Sequence, residues 1–401
     1  MGHLDKNIRS QDLSEEVSKE DLLRYDGVVL ADPPETFGLL CVLEPPVKKA
    51  FPAPDLVVDL SGKDILFAVD AEQHIHGSYL VRRNDALLFG PNHLVVPEGF
   101  WSCEARTYKG QFLEYFEFPF YNKMFPGVRP TLEHQGGQTR IGTISLAESG
   151  GAFHIDAPVF LATPVEPPIW GRWVSTVLPK VIQYLQHMPN RMFFCYVEME
   201  WQKRFLKFLG VSDSMILPHD PGKTYICRDI ATVEYSITNM TVSAWERTNY
   251  IEIAARCWHF EKWPERIFVS RRSRSIANPN YRVLVNEQQL ADMLHTLGFV
   301  TIEPELLPYD VQISLFAAAR EIVFVGGSAV FNAVFCSSGT SVITIESSTA
   351  YVATHAGLFA SLNLRYGIIF GQEDTDDPAS YHKRWHLDIN RTRDAVMQFF
   401  G

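Results

Sequence analysis

Arginine and hydroxyl side chains cluster directly after one predicted strand. Ser270, Arg271 and Arg272 follow a short apolar run, and Arg274 comes two residues later. A guanidinium group can hold two phosphate oxygens through parallel N–H bonds, so this cluster would suit a phosphate ligand. An exposed basic loop without a ligand is the alternative. The position favours phosphate binding, because parallel sheets bind ligands beyond the carboxyl ends of their strands.

A glycine-rich turn lies between a predicted strand and a predicted helix further along the chain. It contains Gly326, Gly327, Ser328 and Asn332. Glycines let the backbone turn tightly and approach a ligand, and the N–H groups at the start of a helix favour an anion such as a diphosphate. Ser328 and Asn332 would add side-chain donors, whereas the alternative is a tight turn without a ligand. The Gly-x-Gly-x-x-Gly pattern is absent, so a nicotinamide-dependent oxidoreductase is poorly supported.

The sequence predicts neither a metal site nor a cofactor. Asp374 and Asp376 have a spacing found in some metal sites. Hard cations need several converging oxygen ligands, which two residues do not supply. The neighbouring Asp377 and Pro378 are typical of a turn. We therefore interpret these carboxylates as part of a solvated loop.

The last third of the chain alternates between apolar runs and helical periods, and this alternation positions both candidate segments. With helices between them, strands are predicted at 266–270, 299–302, 321–325, 342–345 and 366–370. A capping box, Asn286 with Gln289, should open the helix that ends at Gly298, and another helix is predicted over 328–335. This pattern is typical of a doubly wound, Rossmann-like domain, in which the arginine cluster and the glycine turn share one sheet edge.

The earlier part of the chain has a different pattern. Residues 1–27 form a polar arm, and short apolar runs broken by prolines, such as 55–59, predict a β-rich part up to about residue 165. Strand–helix–strand spacing then predicts an α/β segment with a parallel sheet. Its first helix is predicted over 173–187, with an interruption at Pro179.

Composition excludes several classes of protein. The 401 residues suggest two or three domains, at about 150 residues per domain. A formal net charge of −11 repels phosphates, so nucleic acid is not an expected partner. No apolar stretch approaches the roughly 20 residues of a membrane helix, and the polar N-terminus lacks the apolar core of a signal peptide. The six cysteines lack metal-ligand spacing, which favours reduced thiols in the cytoplasm.

Residues 264–346 resemble glycosyltransferase family 61, which includes bacterial capsular polysaccharide biosynthesis proteins and eukaryotic xylosyl- and N-acetylglucosaminyltransferases. The matching positions follow the family's order and spacing, and they are 267–272, Arg282, Asn286, Glu287, Gln312, 325–332 and 341–346. A weaker match lies upstream, at Trp170, Trp173, Leu178 and Pro179. In that segment Arg172 stands where the family has His, and Thr176 stands where it usually has Asp or Glu.

The resemblance implies a GT-B fold, in which two Rossmann-like domains face a cleft and the C-terminal domain holds the nucleotide. It implies inverting transfer of a sugar from a nucleotide sugar, commonly a UDP-sugar, to a saccharide or lipid-linked saccharide acceptor. The expected setting is bacterial surface or capsular polysaccharide biosynthesis in the cytoplasm. Peripheral association with the cytoplasmic face of the inner membrane is left open.

The implied donor site lies in the last third of the chain. Arg271, Arg272, Gly327 and Ser328 would bind the diphosphate. Glu346 would bind the ribose hydroxyls, with an exposed strand-end carboxylate as the alternative. The full set of candidate donor-nucleotide residues is Ser270, Arg271, Arg272, Gln312, Gly326, Gly327, Ser328, Asn332 and Glu346.

The upstream segment leaves the catalytic base open. Inverting transfer needs a base that deprotonates the acceptor hydroxyl, and the pKa of arginine is too high for that role. Arg172, His154 and Asp156 are the candidates for the catalytic site, and each has a structural alternative. We expect Arg172 to contact an anion, the alternative being an ion pair with Glu166 or Glu198. Without a base, the protein would be a catalytically inactive nucleotide-sugar-binding or scaffolding relative.

These expectations divide the chain into four parts. Residues 1–27 are the polar arm, and residues 28–262 are an acceptor-side domain that is β-rich to about residue 165 and α/β thereafter. Residues 263–388 are the C-terminal Rossmann-like domain that binds the nucleotide sugar. Residues 389–401 form a C-terminal helix that packs back onto the protein.

Overall fold

The structure is a computed structural model, and it describes residues 8–9, 39–45, 47–63, 65, 72–75, 78–96, 99–102, 129–135, 138–145, 152–234, 241–257, 262–279, 281–347, 352–379 and 383–401. The chain forms two compact units, residues 1–47 with 76–238 and residues 48–75 with 239–401. Most of the predicted polar arm lies outside the described residues.

The strands of the described residues are, in chain order, β1 (Ile8–Arg9), β2 (Leu39–Glu44), β3 (Val47–Ala50), β4 (Leu56–Asp59), β5 (Glu72–Ile75), β6 (Ser78–Phe89), β7 (His93–Val96), β8 (Gly99–Ser102), β9 (Arg129–Gln135), β10 (Gln138–Ser145), β11 (Ala152–Ile155), β12 (Val159–Leu161), β13 (Met192–Cys195), β14 (Ile216–Pro218), β15 (Thr224–Glu234), β16 (Arg266–Val269), β17 (Val300–Ile302), β18 (Glu321–Val325), β19 (Ser341–Glu346), β20 (Arg365–Phe370), β21 (Gln372–Glu373) and β22 (Trp385–His386).

The longer helices of the same residues are α1 (Leu178–His187), α2 (Glu200–Phe208), α3 (Ala244–Cys257), α4 (Arg272–Ala277), α5 (Glu287–Thr296), α6 (Tyr309–Ala318), α7 (Val352–Ser361) and α8 (Ile389–Phe400). A short α-helical turn, Trp170–Arg172, and a π-helix, Trp173–Val177, lead directly into α1. The 3₁₀-helices are Asp213–Met215, Pro304–Leu306 and Ser328–Phe335.

In its described residues, the first unit is built on a ten-stranded sheet that combines parallel and antiparallel strands. Strands β14, β13, β12 and β15 lie side by side and run parallel, and β11 also runs parallel to β15. Strands β6, β7 and β8 continue the sheet with antiparallel pairing. Every side chain of β12 is buried, which is typical of a parallel strand inside an α/β layer. The predicted α/β class is confirmed, with mixed strand directions.

The helix that contains Pro179 is continuous, so the predicted interruption is wrong. Proline has no backbone N–H, and a helix can absorb this defect by a local change of hydrogen-bond pattern. Here the chain forms a π-helix over Trp173–Val177, and the N–H of Leu178 donates to the carbonyl of Trp173, five residues earlier. Pro179 is the second residue of α1, so the change of hydrogen-bond pattern comes directly before the residue that has no N–H.

The second unit contains the parallel sheet predicted for the last third of the chain. Its strand order is β17-β16-β18-β19-β20-β4, and each neighbouring pair runs parallel. The edge strand β4 belongs to a segment that the sequence placed in the β-rich upstream part. Its short apolar run fits the edge of either sheet, so its periodicity cannot indicate which strand it will join.

The C-terminal helix α8 packs within the second unit. Ala395, Val396 and Phe399 belong to the same buried apolar cluster as Phe268 of β16. The ring of Phe399 lies 3.3 Å from the position that a Cβ on Gly367 would occupy, so this glycine gives the helix room to approach β20.

The predicted capping box at the start of α5 is wrong. The helix begins at Glu287, but the side chain of Asn286 makes no capping bond to it. Instead, Asn286 Nδ2 donates to the carbonyl of Leu387 at 2.8 Å, and Asn286 Oδ1 accepts from the N–H of Leu387 at 3.1 Å. A long-range pair of bonds has replaced the local one. The predicted end of the helix is confirmed, because Gly298 has φ of +86°.

Candidate active site

Three neighbouring strands of the second unit end at the same edge of its parallel sheet. Ser270 follows β16, Gly326 follows β18, and Glu346 is the last residue of β19. Strand β17 lies on one side of β16 and the later strands lie on the other, so the strand order reverses between β16 and β18. Open α/β sheets bind their ligands at such a switch point. The structure thus brings the arginine cluster and the glycine turn together.

Arg271 joins these two segments. Its Nη1 donates a hydrogen bond of 2.7 Å to the carbonyl of Gly326. At Gly327, φ is +156°, and a Cβ would lie 3.1 Å from the guanidinium carbon of Arg271. Burial and the neighbouring Arg282 lower the pKa of Arg271 to about 10, which leaves it cationic at neutral pH. Gly327 therefore allows a half-buried cation to lie directly against the turn.

A buried carboxylate fixes the backbone that carries Arg271. Glu287 Oε1 accepts hydrogen bonds of 2.7 Å from the hydroxyl of Ser270 and from the N–H of Arg271. Burial raises the pKa of Glu287, and the two hydrogen bonds and the charge of Arg271 oppose that rise. We did not predict this role. The available signal was an acidic residue, next to Asn286, within the segment that resembles the family.

Glu346 lies buried beneath the glycine turn, with 2% of its surface exposed. Its Oε1 accepts hydrogen bonds of 2.6 Å from the hydroxyl of Thr344 and from Nδ1 of His355, and a Cβ on Gly326 would lie 2.0 Å from its Oε2. Burial raises the pKa of Glu346, but His355, Thr344 and the charge of Arg282 outweigh it and lower the pKa. The alternative of an exposed strand-end carboxylate is therefore wrong, and the sequence did not indicate His355.

The other candidate donor residues differ in their exposure. Arg272 is exposed, and its Nη1 donates to Gln288 Oε1. Gln312 and Asn332 are buried. Gln312 Nε2 donates to Asn332 Oδ1 at 3.3 Å, and Asn332 Nδ2 donates to the carbonyl of Ala329 at 3.0 Å. In this structure, the two amides hold the helical turn that follows the glycines.

That turn, Ser328–Phe335, is a 3₁₀-helix and not the predicted α-helix. The N–H of Val330 donates to the carbonyl of Gly327 at 3.0 Å, which is the i to i+3 pattern. A run of small and apolar residues carries no periodicity that separates the two helix types. The first N–H groups of either type have no partner within the helix, so the expected anion binding at Ser328 does not depend on this difference.

The three candidates for catalysis lie in the first unit. Arg172 is 8% exposed, and its Nε donates to Glu166 Oε2 at 2.7 Å. This is one of the two ion pairs that the sequence offered as alternatives to an anionic ligand. His154 is a half-buried residue of β11, and Asp156 is exposed just after that strand. Arg172 therefore has a structural partner, and the roles of His154 and Asp156 stay predictions.

We expect Arg172→Met to lower the free energy of unfolding by about 1–2 kcal/mol, because it leaves Glu166 without its charged partner. The loss should stay below the cost of breaking a fully buried pair, since the Glu166 side chain is 28% exposed. Urea unfolding of Arg172→Met, Glu166→Gln and the double variant would measure the loss of stability. The double variant should lose less free energy of unfolding than the sum of the two single losses. Unchanged stability with weaker donor or acceptor binding would support the anionic-ligand prediction instead.

Across the described ranges, no group of three or more His, Cys, Asp or Glu side chains could hold a metal ion. No helix of the described part of the chain is both long enough and apolar enough to cross a bilayer.

Comparison with known proteins identifies the central part of the chain. The family model for glycosyltransferase 61 matches residues 170–343, and no curated protein matches the chain significantly. The matched range begins two residues before Arg172 and includes the strand ends at Ser270 and Gly326. It ends within β19, three residues before Glu346. This part of the chain belongs to glycosyltransferase family 61, and the protein is a glycosyltransferase.

Proposed function

We propose that the protein is an inverting glycosyltransferase that uses a nucleotide sugar, in the first instance a UDP-sugar. Its acceptor would be a saccharide or lipid-linked saccharide in bacterial surface or capsular polysaccharide biosynthesis. The reaction would take place in the cytoplasm or at the cytoplasmic face of the inner membrane. The observation that carries the proposal is a half-buried cation, Arg271, bonded to the carbonyl of Gly326 at the switch point of a parallel sheet.

A second guanidinium group adds positive charge at this edge. The charge of Arg282 contributes to the lowered pKa values of Arg271 and Glu346, so Arg282 lies close to both. Its backbone has φ of +48°, a left-handed conformation that costs a residue other than glycine about 1 kcal/mol or more. Two adjacent arginines repel each other, and a diphosphate bound between them would relieve that repulsion.

The proposed reaction requires an acceptor hydroxyl positioned at the anomeric carbon and positive charge that stabilises the leaving diphosphate. The acceptor oxygen attacks the anomeric carbon opposite the diphosphate, the bond from that carbon to the diphosphate oxygen breaks, and the configuration inverts. Arg271 and Arg282 would stabilise the negative charge that develops on the leaving UDP. The hydroxyl proton passes to a base, for which His154 and Asp156 are the candidates, because an arginine such as Arg172 stays protonated.

We expect this activity to need no divalent metal. The carboxylate of Asp374 accepts from Arg384 Nη2 at 3.1 Å and from the N–H of Asp376 at 3.0 Å, and Asp377 accepts from the N–H of Arg384 at 2.8 Å. Asp374 and Asp377 therefore hold a surface turn, and arginines supply the charge proposed for the diphosphate. UDP release from a panel of UDP-sugars, with saccharide acceptors, should be equally fast in EDTA and in Mn²⁺.

Three outcomes of this assay, combined with UDP calorimetry, would contradict parts of the proposal. Activity that EDTA abolishes and Mn²⁺ restores would contradict metal independence and direct mutagenesis to Asp374 and Asp376. UDP binding without turnover of any donor would favour the inactive, nucleotide-sugar-binding alternative. An absence of UDP binding in calorimetry would remove the proposed donor site.

A further inference from the structure

A row of buried polar side chains follows one face of the helix around Pro179. Thr176, Lys180 and Gln183 are spaced four and three residues apart, so they are neighbours on the helix surface. Thr176 and Lys180 have no exposed surface, and Gln183 is 1% exposed. Among the described residues, the Thr176 hydroxyl, Lys180 Nζ and Gln183 Oε1 have no hydrogen-bond partner. We call these three residues the polar row.

Packing alone does not explain the polar row. A buried polar group without a hydrogen-bond partner destabilises the folded protein, and an unpaired buried charge does so more strongly. Val177 and Val181, which alternate with the row along the same helix, are completely buried. Apolar side chains therefore suit the buried side of this helix, and a lysine there needs a compensating partner.

The polar row lies near the edge where parallel strands of the first unit end. Burial raises the pKa of the Cys195 thiol to about 12, and the charge of Lys180 opposes this rise. In the same helix, the ring of Tyr184 lies 5.0 Å from the ring of Phe193 in β13, centre to centre. The helix that carries Lys180 therefore packs on this strand, whose last residue is Cys195. On the two neighbouring strands, Thr163 comes soon after β12 and His219 follows β14, and Thr163 Oγ1 lies 2.8 Å from His219 Nδ1. Ligands of parallel sheets bind beyond such strand ends.

His219 adds a further polar atom to this edge. It is 2% exposed, and burial lowers its pKa to about 3, so the ring is neutral at physiological pH. Its Nε2 has no hydrogen-bond partner within the described part of the protein. The rings of Phe194 and Tyr225 lie 4.6 Å and 5.4 Å from the His219 ring, centre to centre. Polar atoms beside aromatic rings suit a molecule with both hydroxyl groups and an apolar face.

These groups together define a ligand class. The ammonium group of Lys180 donates to an anionic oxygen, and the amide oxygen of Gln183 accepts from a hydroxyl. A sugar that carries a carboxylate or a phosphate offers both an anionic oxygen and hydroxyls. We propose that the polar row is a subsite for an acidic sugar of the acceptor, with Lys180 binding the anionic group. This inference rests on the proposed function, since it assigns the acceptor to the first unit.

The test compares sugars that differ only in their charged group. Binding of glucuronate, glucose 1-phosphate and glucose would be measured by ligand-observed NMR on the full chain, on Lys180→Met and on Lys180→Arg. The matched control is Lys207→Met, which alters an exposed lysine of α2. We expect one acidic sugar to bind at least about tenfold more tightly than glucose, and Lys180→Met to lose that preference while Lys180→Arg and Lys207→Met keep it.

Two further measurements separate this subsite from the donor site and from a structural role. UDP affinity should be the same in the parent and in all variants. Failure of the parent to bind UDP would count against the donor site alone, whereas a loss of UDP binding in Lys180→Met only would contradict a separate subsite. Because Lys180→Met removes a buried unpaired charge, it should unfold at the same temperature as the parent or at a higher one. A preference for glucuronate would identify a carboxylate ligand, and a preference for glucose 1-phosphate would identify a phosphate.

Four results would overturn the proposal. The parent could bind acidic and neutral sugars equally, or it could bind none of the three. Lys180→Met could keep the parent's preference. A lower unfolding temperature of Lys180→Met with unchanged sugar binding would assign the polar row to a structural role in which internal water satisfies its polar atoms.

Discussion

Arg271→Ala should weaken UDP binding by about a hundredfold and reduce turnover by at least as much, because it removes a half-buried cation from the proposed diphosphate site. The guanidinium group bonds to the carbonyl of Gly326 and lies against Gly327, at the turn where the diphosphate is proposed to bind. Titration calorimetry with UDP and an assay of UDP release would measure both losses. Arg271→Lys should recover only part of the affinity, since lysine lacks the planar fork of donors.

Arg272→Ala is the matched control for this variant. Arg272 is the next residue, but its side chain is exposed and bonds to Gln288. A charged contact in water contributes about 0–1 kcal/mol, so the control should change UDP affinity by less than about fivefold. Equal effects of the two substitutions would indicate a diffuse basic surface and would contradict a built site at Arg271.

Gly326→Ala should lower the free energy of unfolding by about 3 kcal/mol and abolish measurable UDP binding. The new Cβ would lie 2.0 Å from Glu346 Oε2 and 2.4 Å from its carboxyl carbon. Thr344 and His355 hold the other oxygen of that carboxylate, so the side chain cannot move away without breaking buried hydrogen bonds. Denaturant unfolding and UDP calorimetry would report the two effects.

Gly339→Ala provides the control for the glycine turn. Gly339 has open space around its Cα but a φ of +84°, so alanine there should cost about 1 kcal/mol of strain and leave UDP affinity unchanged. In the double variant Gly326→Ala/Glu346→Ala, the atoms that would clash with the new Cβ are absent. The double variant should therefore lose less free energy of unfolding than the two single variants lose together. Strictly additive losses would show that the clash with Glu346 does not account for the requirement for glycine.

The sequence predicted the elements of the second unit because their signals are local. Apolar runs mark β16, β18 and β19, and the glycines mark the turn after β18. Once the sheet is parallel, the carboxyl ends of neighbouring strands must share an edge, so the proximity of Ser270 and Gly326 follows from the pattern. The choice of these residues as candidates therefore needed no knowledge of distant contacts.

Features that depend on distant partners could not be predicted. β4 joins β20 across more than three hundred residues, and Asn286 bonds to Leu387 instead of capping its own helix. His355 reaches Glu346 from the following helix, a pairing that neither residue's neighbours indicate. Arg172 was ambiguous for a different reason, since an arginine in a buried position can serve an anionic ligand or a carboxylate such as Glu166.

The central claim is that the donor diphosphate binds where β16 and β18 end, and a crystal structure of the protein with UDP tests it most directly. The account predicts diphosphate oxygens within about 3.2 Å of the Arg271 guanidinium group and of the backbone N–H groups at the start of the Ser328–Phe335 helix. It also predicts that Glu346 keeps its bonds to Thr344 and His355 in the complex. UDP bound at any other position, with this edge of the sheet unchanged, would contradict the account.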